Sequence, residues 1–450
     1  MTVPDSTSEV FVWAWLPGSP TPVPCGVLRP AGSVWRFAYG SGYLDRPDAV
    51  SLSPDLPLGP DWFAPAADLP IPGALRDAAP DWWGRQVVMR RLTGAHGPSS
   101  ETGMLPESVY LLESASDRFG AIDYQTSPTA YVPRGEDASV DELLAAADRI
   151  QSGQQLSPDL AAAALQGTSM GGARPKATLV DAEGASWIAK FPTSTDPLPV
   201  VRGEAACLAL ARAAGIDVPD SRIVTSLGKD VLLVRRFDRP AGGTRRMCVS
   251  GLTLLQLGEM TARYGTYPEL LDVLGHSAAD PGAIGEEVFR RIAFNMAVSN
   301  TDDHLRNHAA FWDGARLSLT PAFDLAPAPR SGETAYQALA YGRDGERESS
   351  LAGLVACAHV YGLSRREAVM SVDRLVDAIH AHWDDAADAA RLTRSERDML
   401  WGHHLLNQGT TRGLRHVAAP DLSPAGADVA VPGFDIDSIA RGHTDLGLGV

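Results

Sequence analysis

Cysteine is scarce in this 450-residue chain: Cys25, Cys207, Cys248 and Cys357 stand far apart, with no C-x-x-C pair. That spacing excludes a zinc ribbon and a disulfide-stapled scaffold, and leaves four small apolar core residues suited to a reducing compartment. Also missing is any run of 18 or more apolar residues, and the opening Met1-Thr-Val-Pro-Asp5 carries no basic stretch followed by an apolar one. No membrane association and a cytoplasmic location are therefore expected. There is no basic excess either. The formal net charge is −16, spread along the chain rather than held in a tail, so a phosphate backbone is repelled and direct nucleic-acid binding is disfavoured. No internal repeat is visible. What is present is an ordinary globular mixture, 44% hydrophobic and 21% charged, long enough for two or three domains or one elaborated fold.

The front of the chain is β-like. Val10-Phe-Val-Trp13 and Val34-Trp-Arg-Phe-Ala-Tyr39 are aromatic and β-branched runs separated by Pro and Gly turns, and a return to the same sheet is expected within Ala121–Val132. Residues 74–92 have a helical pattern, and a connecting helix is expected at Val140–Ser152, ending near Gly153. A glycine-rich turn, Gly167-Thr-Ser-Met-Gly-Gly-Ala-Arg-Pro-Lys176, then precedes candidate strands at Ala177–Val180 and Ser186–Phe191. Residues 203–214 carry Cys207, Leu210, Ala211 and Ala214 on one helical stripe, and Val231–Phe237 reads as a buried strand. Beyond Leu252 the pattern is mostly helical, with apolar faces at Phe289, Ile292, Ala293 and Met296 and at Ala368, Val372, Leu375, Val376 and Ile379. The tail after Pro420 is rich in Pro, Gly and Asp and is expected to be loosely held. A β-rich front and a helical back imply an α+β fold of two lobes with a cleft between them.

The chemistry gathers at a few places. In Ser299-Asn-Thr-Asp-Asp-His-Leu-Arg-Asn307, Asp302 and Asn307 have the D-x-x-x-x-N spacing of a kinase catalytic loop, in which the Asp accepts the hydroxyl proton and the Asn holds magnesium. The spacing selects Asp302 over Asp303. The plainer reading is a loop of Asx turns. Asp324 is the single carboxylate in the apolar stretch Leu319-Thr-Pro-Ala-Phe-Asp-Leu-Ala326, where burial demands a compensating charge, from a magnesium ion or from an arginine such as Arg330. Lys190, on a strand of apolar neighbours after the glycine loop, suits a phosphate-pairing cation, and Glu204 either holds it in place or serves as an ordinary N-terminal helix acid. The loop is not a Walker A motif, but Gly171, Gly172 and the adjacent amides suit a phosphate cradle. The basic run Arg235 to Arg246 reads as a solvated face or a contact for an acidic substrate. The pairs His403-His404 and His380/His382 lack a ligand pattern and read as surface or packing residues.

The ordered set Ser169-Met-Gly-Gly-Ala-Arg-Pro-Lys176, Lys190-Phe-Pro, Arg235-Arg-Phe-Asp-Arg239, Asn300-Thr-Asp-Asp-His-Leu-Arg-Asn307 and Phe323-Asp-Leu resembles the HipA kinases, toxins of HipBA-type toxin–antitoxin modules. Ser51-Leu-Ser-Pro-Asp-Leu-Pro57 and Asp117-Arg-Phe-Gly-Ala121 resemble that family's N-terminal subdomain, so the likeness covers roughly residues 10 to 415. It implies a protein-kinase-like fold: an N-terminal subdomain at 1–135, an N-lobe at 136–250, a helical C-lobe at 251–420 and a tail at 421–450. It implies ATP and magnesium as cofactors and Asp302 as catalytic base. Asn307 and Asp324 would be the magnesium ligands and His304, unless it merely caps a carbonyl, a nucleotide-side contact. Lys190 would reach the phosphates, with Gly171, Gly172, Ala173, Arg174 and Lys176 around them. Arg235, Arg236 and Phe237 would meet adenine through backbone, and Ser169 falls where these kinases autophosphorylate and so shut themselves down. Arg174-Pro-Lys176 departs from the best-known toxin's loop, and Arg235 stands where that toxin has a glutamate.

The implied partners are a protein substrate, by analogy an aminoacyl-tRNA synthetase, and a HipB-like DNA-binding antitoxin through which DNA is met only indirectly. The competing readings are a small-molecule kinase of the same fold and a catalytically silent antitoxin-binding co-repressor. Ser169 is expected to become phosphorylated during expression. A mass spectrum of active protein showing its peptide only unmodified contradicts this.

Overall fold

The computed structural model describes residues 9–66, 68–93, 105–135, 138–167, 174–193, 196–278 and 280–414. The first sheet is antiparallel. Strands β1 (Val10–Trp15), β2 (Pro22–Ala31) and β3 (Val34–Tyr39) form a meander, and β4 (Ile122–Gln125) pairs with the free edge of β1, giving the order β3-β2-β1-β4. Its apolar positions Val10, Val12, Cys25, Leu28 and Phe37 are fully buried. Gly26 is required there: a Cβ at that position would stand 2.4 Å from both the Phe37 ring and the Ala38 carbonyl oxygen.

The second sheet carries the chemistry. β5 (Lys176–Val180), β6 (Ser186–Lys190), β7 (Ser221–Ser226) and β8 (Lys229–Arg235) are antiparallel in the order β5-β6-β8-β7. Helix Val200–Ala213 connects β6 to β7 and buries Ala206, Cys207, Leu210 and Ala211. Helix Val140–Gln151 starts on a capping box, with Ser139 and Glu142 each satisfying the other's backbone N–H. All four cysteines are buried and free. No helix among the described residues is long and apolar enough to cross a membrane.

Several expectations are revised. Residues 74–92 form two helices, Gly73–Asp77 and Trp82–Thr93, because Pro80 lacks the N–H that would continue the first. Helix Val200–Ala213 begins earlier than its apolar stripe, so Glu204 lies in its second turn rather than at its start. The back half is not purely helical. β9 (Cys248–Ser250), β10 (Ala309–Trp312) and β11 (Leu317–Leu319) form a small antiparallel sheet in the order β11-β10-β9, below which helices Pro281–Ala297 and Arg365–Ala389 bury the predicted apolar faces. The described residues up to Leu414 belong to one compact unit, and the tail expectation falls outside them.

The basic run is a solvated face only in part: Arg235 and Arg246 are exposed. Arg236 and Arg239 turn inward, each pairing with both Asp117 and Asp238 at 2.7 to 2.9 Å. Gly120 N–H donates to Asp238 Oδ2 at 2.8 Å, and Arg236 donates to the Arg118 carbonyl at 2.7 Å. Arg118 is itself fully buried, held by Asp123 at 2.7 Å and by the carbonyls of Ala78 and Leu111. Asp117-Arg-Phe-Gly120 and Arg236-Phe-Asp-Arg239 thus interlock and fasten the N-terminal part of the chain to the second sheet. Removing one member strands a buried charge, which is more costly than the pair is stabilising. Asp238→Ala should therefore lower unfolding free energy by about 3–5 kcal/mol in chemical denaturation. A loss of less than ~1 kcal/mol would contradict the interlock, since that is the worth of a surface pair.

Candidate active site

Strand β6 alternates. Trp187 and Ala189 are buried, which puts Lys190 on the opposite face at the strand's last residue. The register sets Lys190 directly across from Lys176, so two cations face each other on neighbouring strands, an arrangement that is unfavourable without nearby acids. The acids are present. Lys190 Nζ lies 2.6 Å from Glu204 Oε1 and 2.6 Å from Asp324 Oδ1, and Lys176 Nζ lies 3.9 Å from Asp81 Oδ2. Burial works against the Lys190 charge, but the Asp324 and Glu204 carboxylates outweigh it and hold its pKa above the ordinary lysine value. Burial pushes Lys176 down and Asp81 up to about 6. The Lys190 ammonium holds the Asp324 carboxyl well below the usual carboxylate range.

Asp324 is not a buried acid among apolar neighbours: its side chain is 48% exposed, and its partner is Lys190 rather than Arg330. Arg330 donates instead to Ser299 Oγ at 3.1 Å and Thr410 Oγ1 at 2.8 Å. Asp324 has φ +60°, and Ser299, just after helix Pro281–Ala297, has φ +55°. Left-handed backbone is uncommon outside glycine, and these two instances flank the same site. The two segments are tied together: Ala328 N–H donates to the Ser299 carbonyl at 3.0 Å, and Asn300 Nδ2 lies 3.4 Å from the Asp324 carbonyl.

Adjacent acids in the loop meet opposite surroundings. Asp303 is buried and accepts from Asn295 Nδ2 at 2.7 Å, from His308 Nε2 at 2.9 Å and from the Tyr267 hydroxyl. Asp302 is exposed. The three donors converge on one oxygen, Oδ2, and the side chain is buried out of a substrate's reach, so the geometry favours Asp302, as the spacing does. Asn307 is buried, with Nδ2 at 3.5 Å from the Asp302 carbonyl, the limit of a hydrogen bond. His304 Nδ1 is buried without a partner among the described residues. An orphaned buried nitrogen beside a half-exposed carboxylate is a place where a bound group completes the bonding.

Other expected site residues have partners of their own or fall outside the described residues. Ser169, Gly171, Gly172 and Ala173 fall outside them. Arg174 pairs with Asp196 at 2.6 Å. The Arg235 and Arg236 amides already donate to the Asp220 and Ser186 carbonyls at 2.7 and 2.9 Å, which narrows any adenine contact to other groups of the segment. The Arg236 side chain is part of the interlock, and Phe237 sits among Phe119, Phe311 and Phe323. His380 packs edge-on against Trp401, as a packing residue does. The sequence reading missed the Asp303 hub. Its donors come from 36 and 8 residues upstream and 5 downstream, a set that no local spacing reveals.

The family model for the HipA-like C-terminal domain matches residues 168–383. These residues are a HipA-like C-terminal domain. The matched span contains Lys176, Lys190, Glu204, Asp302, Asn307 and Asp324, while Asp81 lies outside it. Two proteins of Sinorhizobium fredii (strain NBRC 101917 / NGR234) are similar. "Putative kinase Y4dM" is 30% identical over 157 residues, 32% of this chain and 37% of that protein. "Putative kinase Y4mE" is 25% identical over 317 residues, 64% of this chain and 71% of that protein. The chain thus spans little more than a third of the first relative's length. Among solved structures, a chain of the Shewanella oneidensis MR-1 toxin–antitoxin system HipA, HipB and its operator DNA complex matches with TM-score 0.59 at 18% identity, covering 87% of this chain and 95% of that one. At that identity the match speaks for the fold, a mixed α+β architecture of the HipA kind.

The hub gives a pH test. Burial pushes Asp303 up, but His308 and the bonds from His308 and Tyr267 outweigh it and hold the carboxyl below its ordinary value. A depressed folded-state pKa contributes stability that is present above the unfolded value, ~3.9, and is lost as pH falls through the folded one. Asp303→Asn should cost about 1–3 kcal/mol near neutrality, with the gap from wild type closing as pH falls below ~4. A gap that stays unchanged as pH falls well below ~4 contradicts the ionised hub.

Proposed function

We propose that this HipA-like chain is an ATP- and magnesium-dependent serine/threonine protein kinase of the HipA toxin type. The observation that carries the reading is Lys190 Nζ held at 2.6 Å from both Glu204 and Asp324. A lysine fixed by a helix acid on one side and a second acid on the other is the phosphate-pairing arrangement that phosphoryl transfer needs. In this reading Lys190, with Lys176 opposite it, orients the β- and γ-phosphates of ATP. Asp302 accepts the proton of the substrate hydroxyl as its oxygen attacks the γ-phosphorus and ADP departs.

The donor set suits magnesium. Among the described residues no group of three or more His, Cys, Asp or Glu side chains forms a metal cage. An amide and a single half-exposed carboxylate, Asn307 and Asp324, match an ion that keeps waters and phosphate oxygens for its other positions. When bound there it would neutralise charge developing on the phosphates. His304 Nδ1, buried and without a partner among the described residues, would turn to the nucleotide side.

The finer parts of the reading belong together. The substrate is a cellular protein, with an aminoacyl-tRNA synthetase as the family's analogue, and a HipB-like antitoxin brings the chain to DNA indirectly. Phosphorylation of Ser169 would limit activity, and the setting is cytoplasmic. The boundaries 1–135, 136–250, 251–420 and 421–450 divide N-terminal subdomain, N-lobe, C-lobe and tail.

Phosphoproteomics of cells expressing wild type against Asp302→Ala tests activity and reveals the target together. The variant should keep its fold and lose ~10²–10⁴-fold in transfer rate, the usual worth of a general base. Transfer at the wild-type rate would remove Asp302 from its role. Labelled phosphate appearing on a soluble metabolite instead of a protein band would favour a small-molecule kinase.

A further inference from the structure

A cavity of about 650 Å³ lies away from Lys190. It opens where the end of β1, the 240–247 segment, the β10–β11 hairpin and the start of helix Pro281–Ala297 meet, and none of Lys190, Glu204, Asp302, Asn307 or Asp324 lines it. Its size is that of a small-molecule site, ~300–1,000 Å³. Three arginines line it: Arg245, Arg246 and Arg316. In a chain of net charge −16, whose arginines otherwise find carboxylates repeatedly, none of these three has one within ion-pair distance among the described residues.

Two of the three stand over aromatic rings. The Arg245 guanidinium carbon stands 3.5 Å from the Trp15 ring centroid and that of Arg246 3.1 Å from the Phe311 centroid. Arg245 also donates to the Ser116 carbonyl at 2.9 Å. Burial and the neighbouring Arg239 push its pKa down to about 9, against the pull of Asp117, which is itself taken by Arg236 and Arg239. The acids in the lining, Asp280 and Asp313, are committed to backbone. Asp280 accepts from Ala283 N–H at 3.1 Å as the helix cap, and Asp313 accepts from the Ala315 and Arg316 N–H groups at 2.9 and 2.7 Å. Thr244 and Ser318 add two hydroxyls, and the rest of the wall is mainly apolar, with Val50, Ile284, Leu317 and Trp312.

We infer that this cavity is a second binding site, separate from the nucleotide, for a small anion with a flat apolar body. A guanidinium already stacked on a ring presents its planar fork with little freedom left to lose, and that fork matches a carboxylate or phosphate monoester. The apolar wall receives the body of the ligand, which a bare inorganic anion lacks. The inference does not rest on the kinase reading.

Isothermal titration of the full chain with 2-naphthoate, uncharged 2-naphthamide and inorganic phosphate tests it, on wild type, Arg246→Met, Arg316→Met and Lys190→Met. Both arginine variants alter exposed side chains, and circular dichroism of all three variants is to match wild type before titration. Naphthoate should bind wild type and Lys190→Met alike, at least 10-fold more tightly than naphthamide or phosphate, and each arginine variant should weaken it about 10-fold, the worth of one charge-assisted bond. Any of four results overturns the inference: no heat with naphthoate at millimolar concentration, the amide equal to the carboxylate, phosphate equal to naphthoate, or affinity unchanged in both arginine variants. Loss of binding in Lys190→Met alone assigns the probe to the phosphate site and overturns it as well.

Discussion

The Lys190 ammonium is the point on which the site depends. Its two 2.6 Å contacts join β6 to helix Val200–Ala213 through Glu204 and to the segment after β11 through Asp324. The chain contains three lysines, Lys176, Lys190 and Lys229, and two of them face each other here. Everywhere else that a cation is buried in an ion pair, as in the interlock of Arg236 and Arg239, the chain uses arginine. A lysine is a compact point charge on a flexible stem, and its pKa answers readily to surroundings, whereas arginine locks into planar forks. The opposed pair is tolerable only because Asp81, Glu204 and Asp324 lie around it. A triphosphate entering the site would supply further negative charge and relieve the same repulsion.

The loop that follows helix Pro281–Ala297 complements this cluster by dividing labour between adjacent acids. Asp303 is filled by Tyr267, Asn295 and His308 and so fixes the backbone, while Asp302 faces outward with its carboxylate open to a substrate. The left-handed backbone at Ser299 and Asp324 is held by bonds that over-determine it, among them Ala328 N–H to the Ser299 carbonyl. A rigid loop with one free acid is what a proton-accepting role requires, because the accepting oxygen must be in place before the hydroxyl arrives.

Much of this was legible from the residues alone. The D-x-x-x-x-N spacing singled out Asp302, and a lone lysine in an apolar strand singled out Lys190, since both signals are local. Period-2 and period-3.6 patterns located the strands around Lys190 and the two long helices, because burial on one face leaves its mark within a few residues. Non-local partnerships were not legible. Arg236 and Asp117 lie 119 positions apart in sequence, so the run from Arg235 to Arg246 read as a solvated face or a substrate contact, whereas Arg236 and Arg239 form an inward clamp. Short strands such as Cys248–Ser250 and Leu317–Leu319 carry too few residues to show a period, which is why the back half read as helical. Asp324 read as buried because its neighbours are apolar, whereas a positive φ turns it toward Lys190 and solvent.

Labelling with an acyl-phosphate derivative of ATP, which acylates a lysine amine lying against the bound phosphates, tests the central claim most directly, since only three lysines compete for the label. The account predicts acylation of Lys190 or its opposite neighbour Lys176, suppressed by excess MgATP, with Lys229 untouched. Labelling confined to Lys229, or labelling that excess MgATP fails to suppress, would contradict a nucleotide site built around Lys190.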